Sequence, residues 1–433
     1  MKPRHPSPIR PQIVLLVLGA VIFVGNSFAT GPLEKVVYSF QGPPDGILPR
    51  AGLVADAGGN LYGTTSGGGA NNCGTVFEFS RSTPAGPWTK KILYNFQAKG
   101  VGSAQPSGAL IFDKQGNLYG TAFGGENDYG SVFELSPPNV AGGDWTETYI
   151  WIFNNGVKND GEFPYEKLVM DANGNLYGNT SAGGIYGDGT VFEMIAPSTS
   201  NPQWRERILY HFGAVTNDGV APTGDLFLRD GVLYGTTALG GQLNGGTVFQ
   251  LVGKPGLWTE TILHNFGPGF GPFGGLVADS IGNFYGTTRG GGNLTNCPDE
   301  SGCGTIFELS PPAAAGDPWQ ENTLYVFNKN GDGALPLGTL WRDKLGDLYG
   351  TANQGGVNGS NLGTVFKLKP PATSGAPWTF VALHSFRGAA FGDGANPYGA
   401  LILFNGVFYG TTSSGGEKYT KTKTGGAVYS IVP

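Results

Sequence analysis

Charge is scarce in this sequence. Asp, Glu, Lys and Arg make up 13% of its 433 residues, against about 25% in ordinary globular chains. Disorder combines high charge with few aromatics, whereas aromatics here reach 12%, which argues against a disordered chain. Long helices are disfavoured as well. There are 76 glycines and 30 prolines, 106 residues of the 433, and glycine costs about 1 kcal/mol per helical position relative to alanine. Cysteine is limited to three residues, none in Cys-x-x-Cys spacing, so zinc-ribbon and redox sites are not indicated. No G-x-S-x-G, H-E-x-x-H or Walker motif occurs, and the glycine-rich loops lack the Lys-Ser/Thr of a phosphate cradle. What is present is the material of a glycine-turned, aromatic-packed β protein.

The start of the chain reads as a secretion signal over residues 1–29. Lys2, Arg4 and Arg10 precede a 12-residue apolar run, Ile13 to Val24, and Ser27-Phe28-Ala29 has the small-x-small pattern of a cleavage site. A spanning helix needs about 20 apolar residues, so the run is read as a signal rather than an anchor. Removing 29 of 433 residues leaves 404, with 23 basic groups against 32 acidic and a net charge of −9. A nucleic-acid partner would call for the opposite sign. The expected product is exported, periplasmic or at the cell surface, with no transmembrane segment after cleavage. Few disulfides suit such a chain. Cys297 and Cys303 flank a five-residue insert and are expected to close it, leaving Cys73 without an evident partner.

Repetition dominates the remainder. Leu/Phe-Tyr-Gly recurs with its tyrosine at 62, 119, 177, 234, 285, 349 and 409, spacings of 57, 58, 57, 51, 64 and 60. Seven units of about 58 residues account for all of 30–433, read as a single domain. Each unit carries four strand-like pieces. A Pro-x-Gly-x-Leu lead-in ends in an acidic hairpin turn at Asp56, Asp113, Asp171, Asp230, Asp279 or Asp343. Leu-Tyr-Gly-Thr-Thr follows, then Gly-Thr-Val-Phe-Glu-Leu, and after a tryptophan an Ile-Leu-Tyr-x-Phe strand. The last unit lacks that fourth piece, and Val36-Val-Tyr-Ser-Phe40 supplies one before the first unit. Pairing the two closes a ring. The expectation is an all-β, seven-bladed β-propeller of four-stranded blades, preferred over a linear solenoid because a solenoid would want polar caps rather than a split repeat.

Leu-Tyr-Gly-Thr-Thr, Gly-Gly and Gly-Thr-Val-Phe-Glu-Leu at this period resemble the Gloeo/Verruco (GloVer) tandem repeat of choice-of-anchor proteins. The resemblance covers essentially the whole of 30–433. It implies a bacterial, exported or surface protein of uncharacterised activity and brings no catalytic residues with it.

Candidate site residues come from the repeat and from its exceptions. The loop between a fourth strand and the next first strand carries Asp-Gly at Asp45, Asp160, Asp218, Asp332 and Asp393. These carboxylates are expected near one mouth of the channel, as turn formers or as ligands for calcium or a polyhydroxylated molecule. Asn328 to Gly333 half-matches a calcium loop but lacks its closing glutamate. Unit three replaces the lead-in glycine with Glu166, followed by Lys167, and unit four has Asp225 in the lysine column. Those three are expected to meet on the channel wall, as an ion pair or a binding cluster. Glutamates after Val-Phe (Glu78, Glu134, Glu193, Glu308) recur too often for one catalytic site and read as blade-rim residues. His264 and His384 stand in a column otherwise filled by Tyr38, Tyr94, Tyr210 and Tyr325, which reads as packing; His211 lies one place later. The resulting function is a monomeric binding or surface-interaction module, leaning away from an enzyme, with a glycan or an envelope protein as partner. The alternatives are an extracellular enzyme acting on polysaccharide or a small ester or lactone at the channel mouth, and a purely structural envelope component.

Overall fold

The computed structural model describes residues 34–433 apart from 84–85, 98–102, 126–127, 141, 155, 255, 295–296, 298–300, 315, 358–360, 374 and 418–424. The signal reading for residues 1–29 lies outside the described residues. Strand pairing follows the repeat. In the first unit Val54–Ala55, Leu61–Thr65, Thr75–Ser80 and Thr89–Asn95 pair antiparallel in chain order. The order is the same in the other units, and the motif tyrosine always faces the residue after Val-Phe or its equivalent, as in Tyr62↔Glu78 and Tyr177↔Glu193. Seven such sheets make a seven-bladed β-propeller. Glu34–Ser39 closes it, antiparallel to Ala427–Ile431 with Glu34 opposite Ile431 and Ser39 opposite Ala427. The first strand of the chain is therefore the outermost strand of the last blade. No helix among the described residues is long and apolar enough to cross a membrane.

The innermost strand differs from the single piece read in the sequence. It is broken into a short lead-in and a hairpin segment. In the second blade these are Ser103–Pro106 and Ile111–Phe112, both paired with Leu118–Gly125. The break falls at Pro-x-Gly, where proline has no N–H for the ladder and the glycine is pressed on the neighbouring blade. A Cβ at Gly108 would lie 2.4 Å from the Glu166 carbonyl oxygen.

Apolar side chains gather between blades. One cluster joins Tyr62, Val76, Leu93 and Phe96 of the first blade to Leu110, Leu118, Phe133 and Leu135 of the second. Seven clusters of this kind are present, and one joins Phe40, Tyr409 and Val428 of the seventh blade to Leu53, Leu61, Phe77 and Phe79 of the first. Strands inside a blade are thus buried on both faces: all five residues of Leu61–Thr65 are buried. Several polar side chains in this layer are satisfied across the seams. Thr121 donates to the Glu166 carbonyl at 3.0 Å, Thr236 to Gly274 at 3.2 Å and Thr411 to Ala51 at 2.9 Å.

The glycine of Leu-Tyr-Gly makes room for the phenylalanine of the next strand. A Cβ at Gly178 would stand 2.4 Å from Phe192 Cζ and 2.9 Å from Leu168 Cδ2, and Phe192 is fully buried. Gly178→Ala is therefore expected to destabilise the chain by about 1–3 kcal/mol through overpacking, lowering its denaturant midpoint. Adding Phe192→Leu should recover part of that loss. Unchanged midpoints would show that the ring has space the geometry does not allow.

Candidate functional site: the central channel

The broken inner strands line a channel of about 1450 Å³. After each Pro, three positions face or flank it. The middle one is Ala51, Gly108, Gly224, Gly274, Gly338 or Gly399 in six blades and Glu166 in the third. The ring of small residues follows from sterics, because inner strands of adjacent blades nearly touch. Larger groups appear in the flanking positions: Arg50, Tyr165, Phe273 and Tyr398 before the middle one, Lys167, Asp225 and Thr339 after it. Phe123, at the end of a second strand, stacks on Phe163 at 5.0 Å and on Tyr165 at 4.8 Å between ring centres. Tyr165 and Tyr398 are each 39% exposed, and the Arg289 guanidinium lies 5.8 Å from the centre of the Phe273 ring.

The sequence-derived cluster does assemble. Asp225 Oδ1 accepts the Lys167 N–H at 3.1 Å, and Oδ2 accepts the Thr339 hydroxyl at 2.8 Å. Thr339 Oγ1 in turn accepts the Gly275 N–H at 3.0 Å. Four consecutive blades are thereby joined through one carboxylate. The Glu166 carboxyl sits beside it, half-buried in the channel wall. Burial first, then the charge and hydrogen bond of Asp225, hold its pKa well above the usual carboxyl range. Lys167 contributes its backbone; no ion pair of its ammonium occurs among the described residues. The site thus offers flat apolar rings, an adjacent carboxyl pair, and the cations Arg50 and Lys167. Sequence reading missed Arg50, Phe123, Phe163, Tyr165, Phe273, Tyr398 and Thr339. The position after each proline reads Arg50, Ser107, Tyr165, Thr223, Phe273, Leu337 and Tyr398, too varied a column to mark a site.

The sequence profile of the Gloeobacter/Verrucomicrobia repeat matches residues 21–148, 124–317 and 295–433. The chain belongs to this repeat family. No curated protein matches it. Among solved structures, a protein of unknown function from Dyadobacter fermentans DSM 18053 is 12% identical, with TM-score 0.45 over 93% of this chain and 99% of that one. A "putative 6-phosphogluconolactonase" from Bacteroides uniformis ATCC 8492 is also 12% identical, with TM-score 0.48 over 84% of this chain and 90% of that one.

In this Gloeobacter/Verrucomicrobia repeat propeller the Asp-Gly aspartates lie at the seams between blades, and none is among the channel-lining residues. Each carboxylate caps its own loop. Asp218 accepts the Tyr210 hydroxyl and the N–H groups of Gly213 and Ala214, each at 2.9 Å. Asp160 accepts Trp151 Nε1 at 3.2 Å and the Asn154 N–H at 2.8 Å. Asp332 accepts the Tyr325 hydroxyl at 2.8 Å and the Asn328 N–H at 3.1 Å, so the half-matched calcium loop turns its carboxylate onto the outermost strand of the preceding blade. Asp45 accepts the Tyr38 hydroxyl at 3.0 Å and pairs with Lys90. Asp393 accepts the Arg387 N–H at 2.8 Å and stands 3.1 Å from His384 Nε2. The following glycine is sterically required: a Cβ at Gly161 would meet Thr180 at 2.6 Å. The motif tyrosines tie the hairpin aspartates to the Val-Phe glutamates, as Tyr285 does with Asp279 at 3.2 Å and Glu308 at 2.9 Å. The sulfurs of Cys297 and Cys303 are bonded, with Cα atoms 4.9 Å apart, and Cys73 is free.

At two of the seams a second carboxyl stands against the aspartate, with no imidazole beside it among the described residues. Burial, then the charge of Asp160 and a hydrogen bond to it, push Glu206 up to about 9; burial and then Asp218 push Glu260 up to about 8. A carboxyl with a raised folded pKa binds its proton more tightly when folded. Its stabilising contribution is complete below its ordinary pKa of 4.5 and is lost as pH rises towards 9. The unfolding midpoint should fall between pH 5 and 9, and Glu206→Gln should flatten part of that fall. A variant with the same pH slope as the parent chain would refute the proton-sharing pair.

Proposed function

We propose that the chain is an exported binding module that takes a polyhydroxylated, glycan-like ligand at the mouth of its central channel. The observation that carries this reading is the asymmetry of the lining. The ring of glycine and alanine is interrupted by Glu166, and Tyr165, Lys167, Asp225 and Thr339 stand in the positions flanking it on the third, fourth and sixth blades. Ligand sites are concave, largely apolar and furnished with a few convergent polar groups. A sugar ring has apolar C–H faces that lie flat on aromatic rings and hydroxyls that suit carboxylate acceptors. Tyr165 and Tyr398 supply exposed rings, and Glu166 with Asp225 supplies both a donor and acceptors.

A second reading draws on the same carboxyl pair. Glu166, its pKa raised by burial and hydrogen-bonded to Asp225, is placed for acid–base work on a small ester or lactone. It suits that chemistry better than glycosidic cleavage, for which the two carboxyls stand about 5 Å or more apart.

Calorimetric titration of the chain with a panel of soluble oligosaccharides tests the first reading. One class should bind saturably. Tyr165→Ala and Glu166→Gln should each weaken binding about tenfold or more, with little change in unfolding midpoint, since neither side chain belongs to an interblade core. If no oligosaccharide binds, or binding is unchanged in the double variant, the channel is not a glycan site. Turnover of an ester or lactone panel, lost in Glu166→Gln, would favour the second reading instead.

A further inference from the structure

Away from the channel, one seam is unlike the other six. It is the seam at which the ring closes, where the outermost strand of the sixth blade, Thr379–Ser385, faces Glu34–Ser39 from the start of the chain. We propose that Glu34, His384 and Asp393 bind one divalent transition-metal ion of the zinc class there. One donor atom from each of the three lies within 4.8 Å of the other two. His384 Nε2 is 3.1 Å from Asp393 Oδ2 and 3.8 Å from Glu34 Oε2. A tetrahedral ion with bonds of about 2.0–2.1 Å sets its donors roughly 3.3 Å apart, so small side-chain shifts would complete the set.

The donors are positioned and reachable. Asp393 is fixed by the Gly394 N–H on Oδ1 at 2.7 Å and the Arg387 N–H on Oδ2 at 2.8 Å. The His384 ring packs edge-on to Phe386, 4.8 Å between centres, which aims Nε2 at both carboxylates. The side chains of His384 and Glu34 keep 15% and 12% exposure, leaving a way in. Glu34 Oε1 is buried and has no hydrogen-bond partner, an open acceptor that an ion would satisfy. The Arg387 Nε, 3.7 Å from Asp393 Oδ2, competes for the site, but its side chain is 61% exposed and free to move outward over Phe391.

The other seams serve as internal controls. At the position of His384 they carry Tyr38, Tyr94, Trp151, Tyr210, His264 and Tyr325, and at that of Glu34 they carry Lys90, Glu147, Glu206, Glu260, Glu321 and Phe380. His264 meets a glutamate column but no Asp-Gly aspartate, because residues 267–271 read Gly-Pro-Gly-Phe-Gly. Among the described residues, imidazole, aspartate and glutamate coincide only at the closing seam. An imidazole with two carboxylates suits zinc-class ions, whereas calcium takes oxygen donors only. The ion would link the sixth blade directly to the N-terminal strand and so lock the ring.

The test titrates the chelator-stripped chain with Zn²⁺, Co²⁺ and Ca²⁺, reading metal stoichiometry, the visible spectrum of Co²⁺ and the unfolding midpoint. Zn²⁺ should bind at one equivalent and, at a hundredfold excess over its dissociation constant, raise the midpoint by about 3 °C, reversibly with chelator. Ca²⁺ should not. His384→Tyr restores the residue that four other seams carry, so it should fold as well as the parent chain and lose the Co²⁺ spectrum and the Zn²⁺ shift. Glu34→Gln should do the same. No bound Zn²⁺, or Zn²⁺ bound undiminished by either variant, would overturn the proposal.

Discussion

Everything in this ring depends on how closely the innermost strands of neighbouring blades approach one another. A Cβ on Gly224 would come within 2.7 Å of the Gly274 carbonyl oxygen, one on Gly338 within 3.0 Å of Gly399, and one on Gly399 within 2.5 Å of the Gly52 nitrogen. Several of the carbonyls so exposed are paired, because the first threonine of Leu-Tyr-Gly-Thr-Thr reaches across the seam to them. Close approach and hydrogen bond come as one unit. They explain why glycine and threonine recur together at a period near 58, where a generic strand would do with any alternating pattern.

The third blade violates this unit, and the departure is matched within the same blade. Glu166 stands where glycine is usual, and Asn179 stands where threonine is usual. The amide is longer than a hydroxyl and still reaches the next blade, donating to the Gly224 carbonyl at 2.9 Å. The seam therefore keeps its hydrogen bond while the wall accepts a carboxyl group. A second exchange has the same logic. Lys367 takes the place of a Val-Phe glutamate, and the turn that usually offers asparagine offers Asp347, with which it pairs. Exceptions to the repeat are thus compensated locally, and this separates a built polar site from a tolerated accident.

The architecture was open to reading because it is written in periods. The tyrosine spacing, the four pieces per unit and the unmatched strands at 36–40 and 426–429 follow from chain order alone, and closing the ring needed no knowledge of side-chain direction. Direction is what the sequence does not carry. Asp-Gly read equally well as a rim ligand or a turn. Only the fold shows the carboxylate turned onto Tyr210 or Tyr325 of the preceding blade and the glycine pressed on a threonine. Glu166, Lys167 and Asp225 stood out because they put charge in a small-residue column. Tyr165, Phe123 and Phe163 did not, since aromatic residues are abundant everywhere in this chain and their stack joins two blades. His384 read as a packing substitute for tyrosine and does pack on Phe386. Its approach to Glu34, 350 residues away in sequence, is a product of ring closure and had no local signature.

Closure also sets where a ligand acting on stability would have most effect. In every blade but the last, the outermost strand is held by the short loop from the strand beside it. Glu34–Ser39 lacks that tether and is held by its pairing with Ala427–Ile431 and by the cluster around Phe40. Each seam has its own apolar core, so local opening can begin at one seam without the others. The seam with the non-covalent strand should have the lowest opening free energy of the seven. A contact added there stabilises the ring against opening, whereas the same contact between two tethered blades would mostly reinforce what the chain already secures. The channel stands in the opposite position. Its lining is displayed by seven cores that do not depend on it, and its side chains are free to differ from blade to blade at little cost to the fold.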